Sequence, residues 1–460
     1  MELSTNHDNP YVALTVAGSD SGGGAGIQAD LKTMEAFGVF GTSAVTSLTA
    51  QNSTGVHGVE DVSPEFVGEQ IDAVVDDFDV KAVKTGMLSN AETVSVVAEK
   101  IDEHDLRAVV DPVMIAQSGD RLLSEDAEEV VRNDLVPRAT LVTPNAPEAA
   151  TLTDRTVESP DKMEEAADAL VEMGADAALV TGGHVKGERV VDVLADAEGT
   201  HRFEKARVER GATHGTGCAL SSAVAAELAK GASLGDAVGT AEAFLYRAVR
   251  FGVDVGGGAD STHHLVELRN EAALSDALDA VYDALGSFEE TDGFARLLPE
   301  VGMNVGVATP YALEQDEIAS VEGRVRRTRD GFAASCVRLG ASGHVARYLL
   351  ALRDATDDEA GAACNLRNDA AVRDGLDSTD MTVVEVDRDE QSEEVREGEG
   401  GSMEWSARTA VEKADGFPDA VVDAGAVGKE PMVRLAARDA DELVERVVGI
   451  ARNIDVSDGG

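Results

Sequence analysis

The residues of this chain best suited to chemistry lie in one run, Gly211-Ala-Thr-His-Gly-Thr-Gly-Cys218, followed directly by the apolar stretch Ala219–Leu228. A glycine-rich turn feeding straight into a helix leaves several backbone N–H groups unpaired and pointing one way, at the positive end of the helix dipole. That geometry is an anion hole. Gly215 and Gly217, on either side of Thr216, let the backbone close on a phosphate with no Cβ in the way. Cys218 falls in the first helical turn, where a thiolate is also favoured, so its pKa is expected to be lowered.

A second glycine cluster, Gly18-Ser-Asp-Ser-Gly-Gly-Gly-Ala-Gly-Ile-Gln-Ala-Asp30, follows the first apolar run. It has no Walker lysine and lacks the dinucleotide spacing. Asp30 is read as lying in the first helical turn, aimed back over the loop at a substrate hydroxyl or serving only as a helix N-terminal charge. These loops need a frame. Apolar runs alternate with helical patterns: strands at 11–17, 41–48 (one strand or two short ones), 80–85, 106–110, 140–143 and 177–181, helices at 27–37, 65–78, 91–104, 124–135 and 162–173. Such alternation predicts an α/β fold, a mainly parallel sheet with helices on both faces. Ligands bind such sheets beyond the carboxyl ends of the strands. Thr49-Ala-Gln51, Lys84-Thr-Gly-Met87, Val109-Val-Asp111, Thr143-Pro-Asn145-Ala-Pro-Glu148 and Thr181-Gly-Gly183-His all fall there.

Taken together, these strings resemble the ribokinase superfamily, and the Gly-Thr-Gly-Cys ending resembles one branch of it, the hydroxymethylpyrimidine kinase/phosphomethylpyrimidine kinase family. The resemblance covers residues 11 to about 250. It implies a substrate site of Gly18, Asp30, Gln51 and Met87. The Gln51 amide, donor and acceptor side by side, suits an aminopyrimidine edge, and Met87 packs on the ring. It further implies ATP as co-substrate, held near Lys84, Asn145, Thr181 and Gly183, and Mg²⁺ near Asp111 and Glu148. Asn145 and Glu148 also suit a helix cap. Where the family has lysine in its Lys-Gly-Gly-His segment this chain has Thr181. Gly215, Thr216, Gly217 and Cys218 become the catalytic group, with Cys218, where most relatives of the fold place an aspartate base, either taking the proton as a thiolate or only shaping the hole.

The chain has 39 basic and 87 acidic residues, a formal net charge of −48. Such a surface repels nucleic acid and anionic membranes and resembles the cytoplasmic proteins of salt-in halophiles, where molar salt screens the self-repulsion. No run approaches the roughly 18 apolar residues of a membrane span, and the first ten residues have no leader pattern, so a cytoplasmic protein is expected. Cys218, Cys336 and Cys364 are widely spaced, which predicts a reducing compartment and no structural metal site.

At 460 residues two or three domains are expected: a kinase at 1–270, a connecting helix at 271–286, and a smaller α/β domain at 287–460. In the last part basic residues concentrate beside glycine and serine: Arg324, Arg338-Leu-Gly-Ala-Ser-Gly-His344-Val-Ala-Arg347, Cys364-Asn-Leu-Arg367 and Gly428-Lys429-Glu-Pro-Met-Val-Arg434. Guanidinium forks in such settings suit a diphosphate. These strings resemble a ThiN-type thiamine-phosphate synthase domain, which implies joining of hydroxymethylpyrimidine diphosphate to hydroxyethylthiazole phosphate, with His344 and Arg324 catalytic and Arg347, Arg367, Lys429 and Arg434 binding substrate. Small molecules are the expected partners, and a homodimer is expected because such kinases are often dimers. Rival readings are a kinase with a ligand-sensing second domain, a pyridoxal kinase, and a salt-adapted binding protein without activity.

Overall fold

Short apolar strands bounded by glycine or polar turns set the frame of the first unit in the computed structural model, which describes residues 10–115, 119, 121–208, 214–391, 401–425 and 430–457. The strands of this unit are β1 (Val12–Ala17), β2 (Phe40–Val45), β3 (Ser47–Asn52), β4 (Gly55–Asp61), β5 (Val80–Thr85), β6 (Ala108–Val110), β7 (Ala139–Val142), β8 (Ala178–Val180), β9 (Arg189–Asp196) and β10 (Gly199–Ala206), of which β3, β4 and β10 are largely polar and exposed. One sheet has the order β10-β9-β8-β7-β6-β5-β1-β2. From β2 to β8 neighbours run parallel, and β9 and β10 close the far edge antiparallel. The parallel strands are apolar because both faces are covered, as in helix-flanked sheets. Leu14, Val83, Val110 and Val142 sit in one core with Val97, Leu135 and Leu170 from the helices.

The order reverses at β1, flanked by β2 and β5, and there the loops after β1 and β5 part to leave a crevice. The antiparallel pair β3–β4 stands outside the main sheet. The segment at 41–48, expected as one strand or two short ones, is two strands, and β4, β9 and β10 add pairings the sequence pattern did not mark.

The chain divides between Glu267 and Leu268. The helix expected as a connector at 271–286 spans Leu274–Glu289 and belongs to the second unit, because Val281, Ala284 and Phe288 are buried in that unit's core. Its amphipathic face is filled by that core, so it does not act as a linker.

The second unit has β11 (Val305–Ala308), β12 (Ile318–Val321), β13 (Arg326–Thr328), β14 (Gly331–Ala333), β15 (Val337–Leu339), β16 (Ala362–Arg367), β17 (Val383–Val386), β18 (Ala420–Asp423) and β19 (Met432–Ala437). Its sheet runs β15-β12-β11-β16-β19-β18-β17, antiparallel except for β17–β18. One face packs on helices Leu274–Glu289 and Ala440–Ser457, the other on Gly343–Ala355 and Gly401–Ala414. Among the described residues no helix is long and apolar enough to cross a membrane.

Candidate active site and basic cluster

A cleft of about 810 Å³ opens at the carboxyl ends of the parallel strands of the first unit. Gly18 after β1, Gln51 on β3, Lys84 and Met87 at the end of β5, Asp111 after β6, Asn145 and Glu148 after β7, and Thr181 and Gly183 after β8 all line it, with Gly215, Thr216, Gly217 and Cys218 opposite. The sequence reading therefore brings together every first-unit residue but one. Asp30 is absent from the lining.

The helix after the glycine turn spans Thr216–Ala229, with Gly215 as its N-cap in the left-handed region (φ 86°) and no side chain capping it. Its first N–H groups are left for a ligand. A Cβ on Gly215 would lie 1.9 Å from the Gly24 carbonyl oxygen, so the two glycine turns touch backbone to backbone. The first turn is tied by Asp20: its carboxylate accepts the N–H groups of Gly22, Gly24 and Ala25 at 2.8, 3.0 and 2.8 Å and lies 3.1 Å from His214 Nε2. Burial works against the Asp20 carboxylate, yet His214 and these N–H bonds hold it below its usual range. His214 Nε2 also lies 3.4 Å from the Gln51 amide nitrogen, and since that one ring nitrogen donates to Asp20 it cannot also accept from the amide, so Gln51 packs beside the Asp20–His214 pair at the substrate end. Residues 211–213, the beginning of the second turn, lie outside the described residues.

Asp30 is a correction. Helix Gly26–Ala36 starts early enough that Asp30 is its fifth residue, facing inward. It is fully buried, and its carboxylate accepts from Thr15 Oγ1 at 2.6 Å, from Ser222 Oγ at 2.8 Å, and from Lys84 Nζ at 2.9 Å to each oxygen. No valence is left to aim at a substrate hydroxyl. Lys84, expected to reach the nucleotide, is fully buried in the cleft wall with its ammonium on Asp30. Desolvation opposes its charge, but Asp30, Cys218 and Asp111 outweigh it and drive the pKa up.

Cys218 is a second correction. Desolvation pushes the thiol up to about 12; Lys84 pulls it back, and Asp30 and Asp111 push it further. Cys218 is half-buried in the cleft wall, and there desolvation and the carboxylates of Asp30 and Asp111 act against the helix dipole and raise the thiol instead of lowering it.

Asn145 caps helix Ala146–Thr153 in a reciprocal box: Glu148 N–H donates to Asn145 Oδ1 and Asn145 N–H to a Glu148 oxygen, both at 2.9 Å. The capping role is therefore real, and it leaves the Glu148 carboxylate buried beside Asp111. Burial and Asp111 push Glu148 up to about 8, while burial, against the pull of Lys84, puts Asp111 at about 6.

The sequence reading missed the far end of the cleft. Lys205 on β10 lines it, ion-paired to Asp192 at 3.6 Å and to Glu242. Arg207 holds the connection between β8 and β9 through the carbonyls of Gly183, Val185 and Gly187 at 3.0, 2.6 and 2.8 Å. So although Thr181 stands where a lysine was expected, the neighbouring hairpin delivers cations to the same end.

In the second unit, His344 Nδ1 and Arg347 Nη2 lie 3.4 Å apart in the first turns of helix Gly343–Ala355. Arg367 pairs with Asp369, Arg324 is half-buried after β12, and Arg434 is buried on β19. Lys429 lies outside the described residues.

Comparison with known proteins agrees with this division. Residues 20–263 match the phosphomethylpyrimidine kinase family and residues 280–449 the thiamine-phosphate synthase ThiN family. The hydroxymethylpyrimidine/phosphomethylpyrimidine kinase of Rhizobium meliloti is 49% identical over 256 residues, 55% of this chain and 96% of its own. The thiamine biosynthesis bifunctional protein ThiED of Geobacter sulfurreducens is 46% identical over 254 residues, 55% of this chain and 52% of its own. Among solved structures, an ADP complex of Bacillus subtilis pyridoxal kinase superposes with a TM-score of 0.53 at 36% identity, covering 56% of this chain and 99% of that one. The chain belongs to the phosphomethylpyrimidine kinase family and continues into a thiamine-phosphate synthase ThiN domain.

Proposed function

We propose that the first unit transfers the terminal phosphoryl of ATP to the hydroxymethyl group of 4-amino-5-hydroxymethyl-2-methylpyrimidine and then to the monophosphate. The second unit joins the resulting diphosphate to hydroxyethylthiazole phosphate, releasing pyrophosphate and forming thiamine phosphate. The observation that carries the kinase reading is the pair of glycine turns in backbone contact, with an uncapped helix N-terminus on one and Gln51 and Met87 beside the other. The Gln51 amide meets the ring nitrogen and amino group while Met87 packs on the ring. The N–H groups of Gly215–Cys218 hold the charge on the transferred phosphoryl. ATP lies toward Asn145, Thr181, Gly183 and Lys205. Phosphoryl transfer through a loose transition state needs positioning more than a strong base. A neutral Cys218 thiol therefore serves as the wall of the hole beside the attacking hydroxyl.

Asp111 and Glu148 fit Mg²⁺: two buried carboxylates side by side, each pushed toward protonation, suit a hard divalent ion with water between. When bound, the ion offsets the charge on the phosphates. A pH dependence follows. Asp111 rises from 3.8 to about 6 and Glu148 from 4.5 to about 8, so over those windows the folded unit binds protons that the unfolded chain has lost. Stability falls as pH rises through them. The melting midpoint of the unligated first unit is expected to drop between about pH 5 and pH 8, Mg²⁺ to oppose the drop, and Glu148→Gln to flatten it. Scanning calorimetry checks this; a midpoint that climbs steadily across the window in wild type contradicts it.

In the second unit the carbon–oxygen bond to the diphosphate breaks, its electron pair leaving with pyrophosphate. The electron-rich aminopyrimidine carries the resulting cation, and the thiazole nitrogen forms the new bond. Arg324, Arg347, Arg367, Lys429 and Arg434 supply positive charge to the leaving group, with His344 beside Arg347. Pyridoxal is the competing first-unit substrate, favoured by the fold match to pyridoxal kinases. ATP turnover with the two alcohols in parallel separates them, and faster turnover of pyridoxal would replace the pyrimidine reading.

A further inference from the structure

The second unit buries a guanidinium it does not satisfy. Arg434 is 5% exposed, and its Nη1 has no hydrogen-bond partner among the described residues. Its Nη2 lies 3.1 Å from Asp423 Oδ2, the same oxygen that accepts from Arg388 Nε at 2.7 Å. One carboxylate oxygen is thus shared between two forks, which fixes both and leaves the Arg434 fork incomplete. Behind Arg434, the Tyr348 ring lies 5.7 Å from its guanidinium carbon, and the Tyr348 hydroxyl, in a residue 2% exposed, is also unpartnered. Buried donors are normally paired, so two unmet ones on neighbouring side chains point to a missing acceptor.

The sheet register adds to this. Asn365 pairs with Arg434, and Arg367 with Met432. Side chains alternate along a strand, which puts Arg367 and Arg434 on the face of Ala363 and Ala436, under helix Gly343–Ala355. Arg367 Nε and Arg347 Nε have no hydrogen-bond partner either. His344 lies one turn before Tyr348 on that helix.

We propose that Arg434 is the phosphate anchor of the second unit, with Asp423 and Arg388 as positioning residues that hold its fork against Tyr348 and leave Nη1 to a phosphate oxygen. The ligand class is a phosphoester or diphosphate. This deepens the synthase reading and rests on it for the identity of the ligand, which is either the leaving diphosphate or the phosphate of the thiazole.

The full chain in molar KCl, probed with inorganic pyrophosphate, tests this. The chain has one tryptophan, Trp405, on a helix of the same sheet face, so its fluorescence reports the second unit alone. Pyrophosphate is expected to raise the Trp405 unfolding midpoint in wild type. Arg434→Met leaves Asp423 paired with Arg388, so without ligand its midpoint is expected to hold or rise, while pyrophosphate affinity falls roughly 10–100-fold, the loss of a charge-assisted bond. A purely structural arginine would do the reverse, lowering the unligated midpoint and leaving affinity alone. If Arg434→Met does not fold, Arg434→Lys keeps the charge without the fork and is expected to weaken pyrophosphate about tenfold. Binding within threefold of wild type in whichever variant folds overturns the anchor. A selective rise in the pyrophosphate inhibition constant assigns it to the leaving group, and a selective rise in KM for thiazole phosphate assigns it to the acceptor. Wild-type protein that binds pyrophosphate through Arg434 yet forms no thiamine phosphate sinks the synthase reading and leaves the anchor standing.

Discussion

Gly215→Ala is expected to reduce pyrimidine phosphorylation by two to three orders of magnitude, roughly the cost of losing a preorganised anion-hole donor. Two effects act together. Alanine is strained at φ 86°, and its Cβ would stand 1.9 Å from the Gly24 carbonyl oxygen, a backbone atom with no rotamer to escape into. The two glycine turns must therefore separate, and a shift of about 1 Å between reacting groups is enough for a hundredfold loss. The second unit lies in a separate part of the chain, so pyrophosphate release from supplied diphosphate and thiazole phosphate should be unchanged. Steady-state rates for both half-reactions check this. A kinase rate within threefold of wild type would mean that the contact between the turns is irrelevant to phosphoryl transfer.

Asp30→Ala should destabilise the first unit by about 3–5 kcal/mol, because it strips the partner from a fully buried lysine. Thr15 and Ser222 lose their acceptor at the same time. The double change Asp30→Ala with Lys84→Met removes the uncompensated charge and is expected to recover much of the loss. Calorimetry resolves the transition, and Trp405 fluorescence marks which one belongs to the second unit. An Asp30→Ala protein as stable as wild type that had lost only substrate affinity would restore the substrate-contact reading of this residue.

That misreading shows where the sequence stops speaking. In the string Gly-Ala-Gly-Ile-Gln-Ala-Asp30 an acid soon after a glycine loop looks poised over the loop. Its true direction depends on the helix beginning at Gly26, which turns Asp30 inward, and on Lys84, which lies 54 residues away and reaches it only through the pairing of β1 with β5. The lowered thiol pKa expected of Cys218 failed for a similar reason: the helix terminus is local and visible, whereas the carboxylates of Asp30 and Asp111 arrive from a helix and a strand end far along the chain.

The parallel strands were legible because burial on both faces makes them apolar runs, Val80–Thr85 with the boundaries expected. The hairpin β9–β10 was not, since β10, Gly-Thr-His-Arg-Phe-Glu-Lys-Ala, is an exposed edge strand of mixed charge that reads as a loop. With it went Lys205 and Arg207. In the second unit the basic residues stood out against an acidic chain, but the acid that orients Arg434 is Asp423, brought alongside by sheet pairing.

The most direct measurement follows products by mass in molar KCl when the purified chain is given ATP, Mg²⁺ and hydroxymethylpyrimidine, with and without hydroxyethylthiazole phosphate. Diphosphate without the thiazole, converted to thiamine phosphate and pyrophosphate with it, is the expected result. Diphosphate that accumulates unchanged when the thiazole is present would contradict a chain that runs both reactions and would leave the second unit as a ligand sensor behind a kinase.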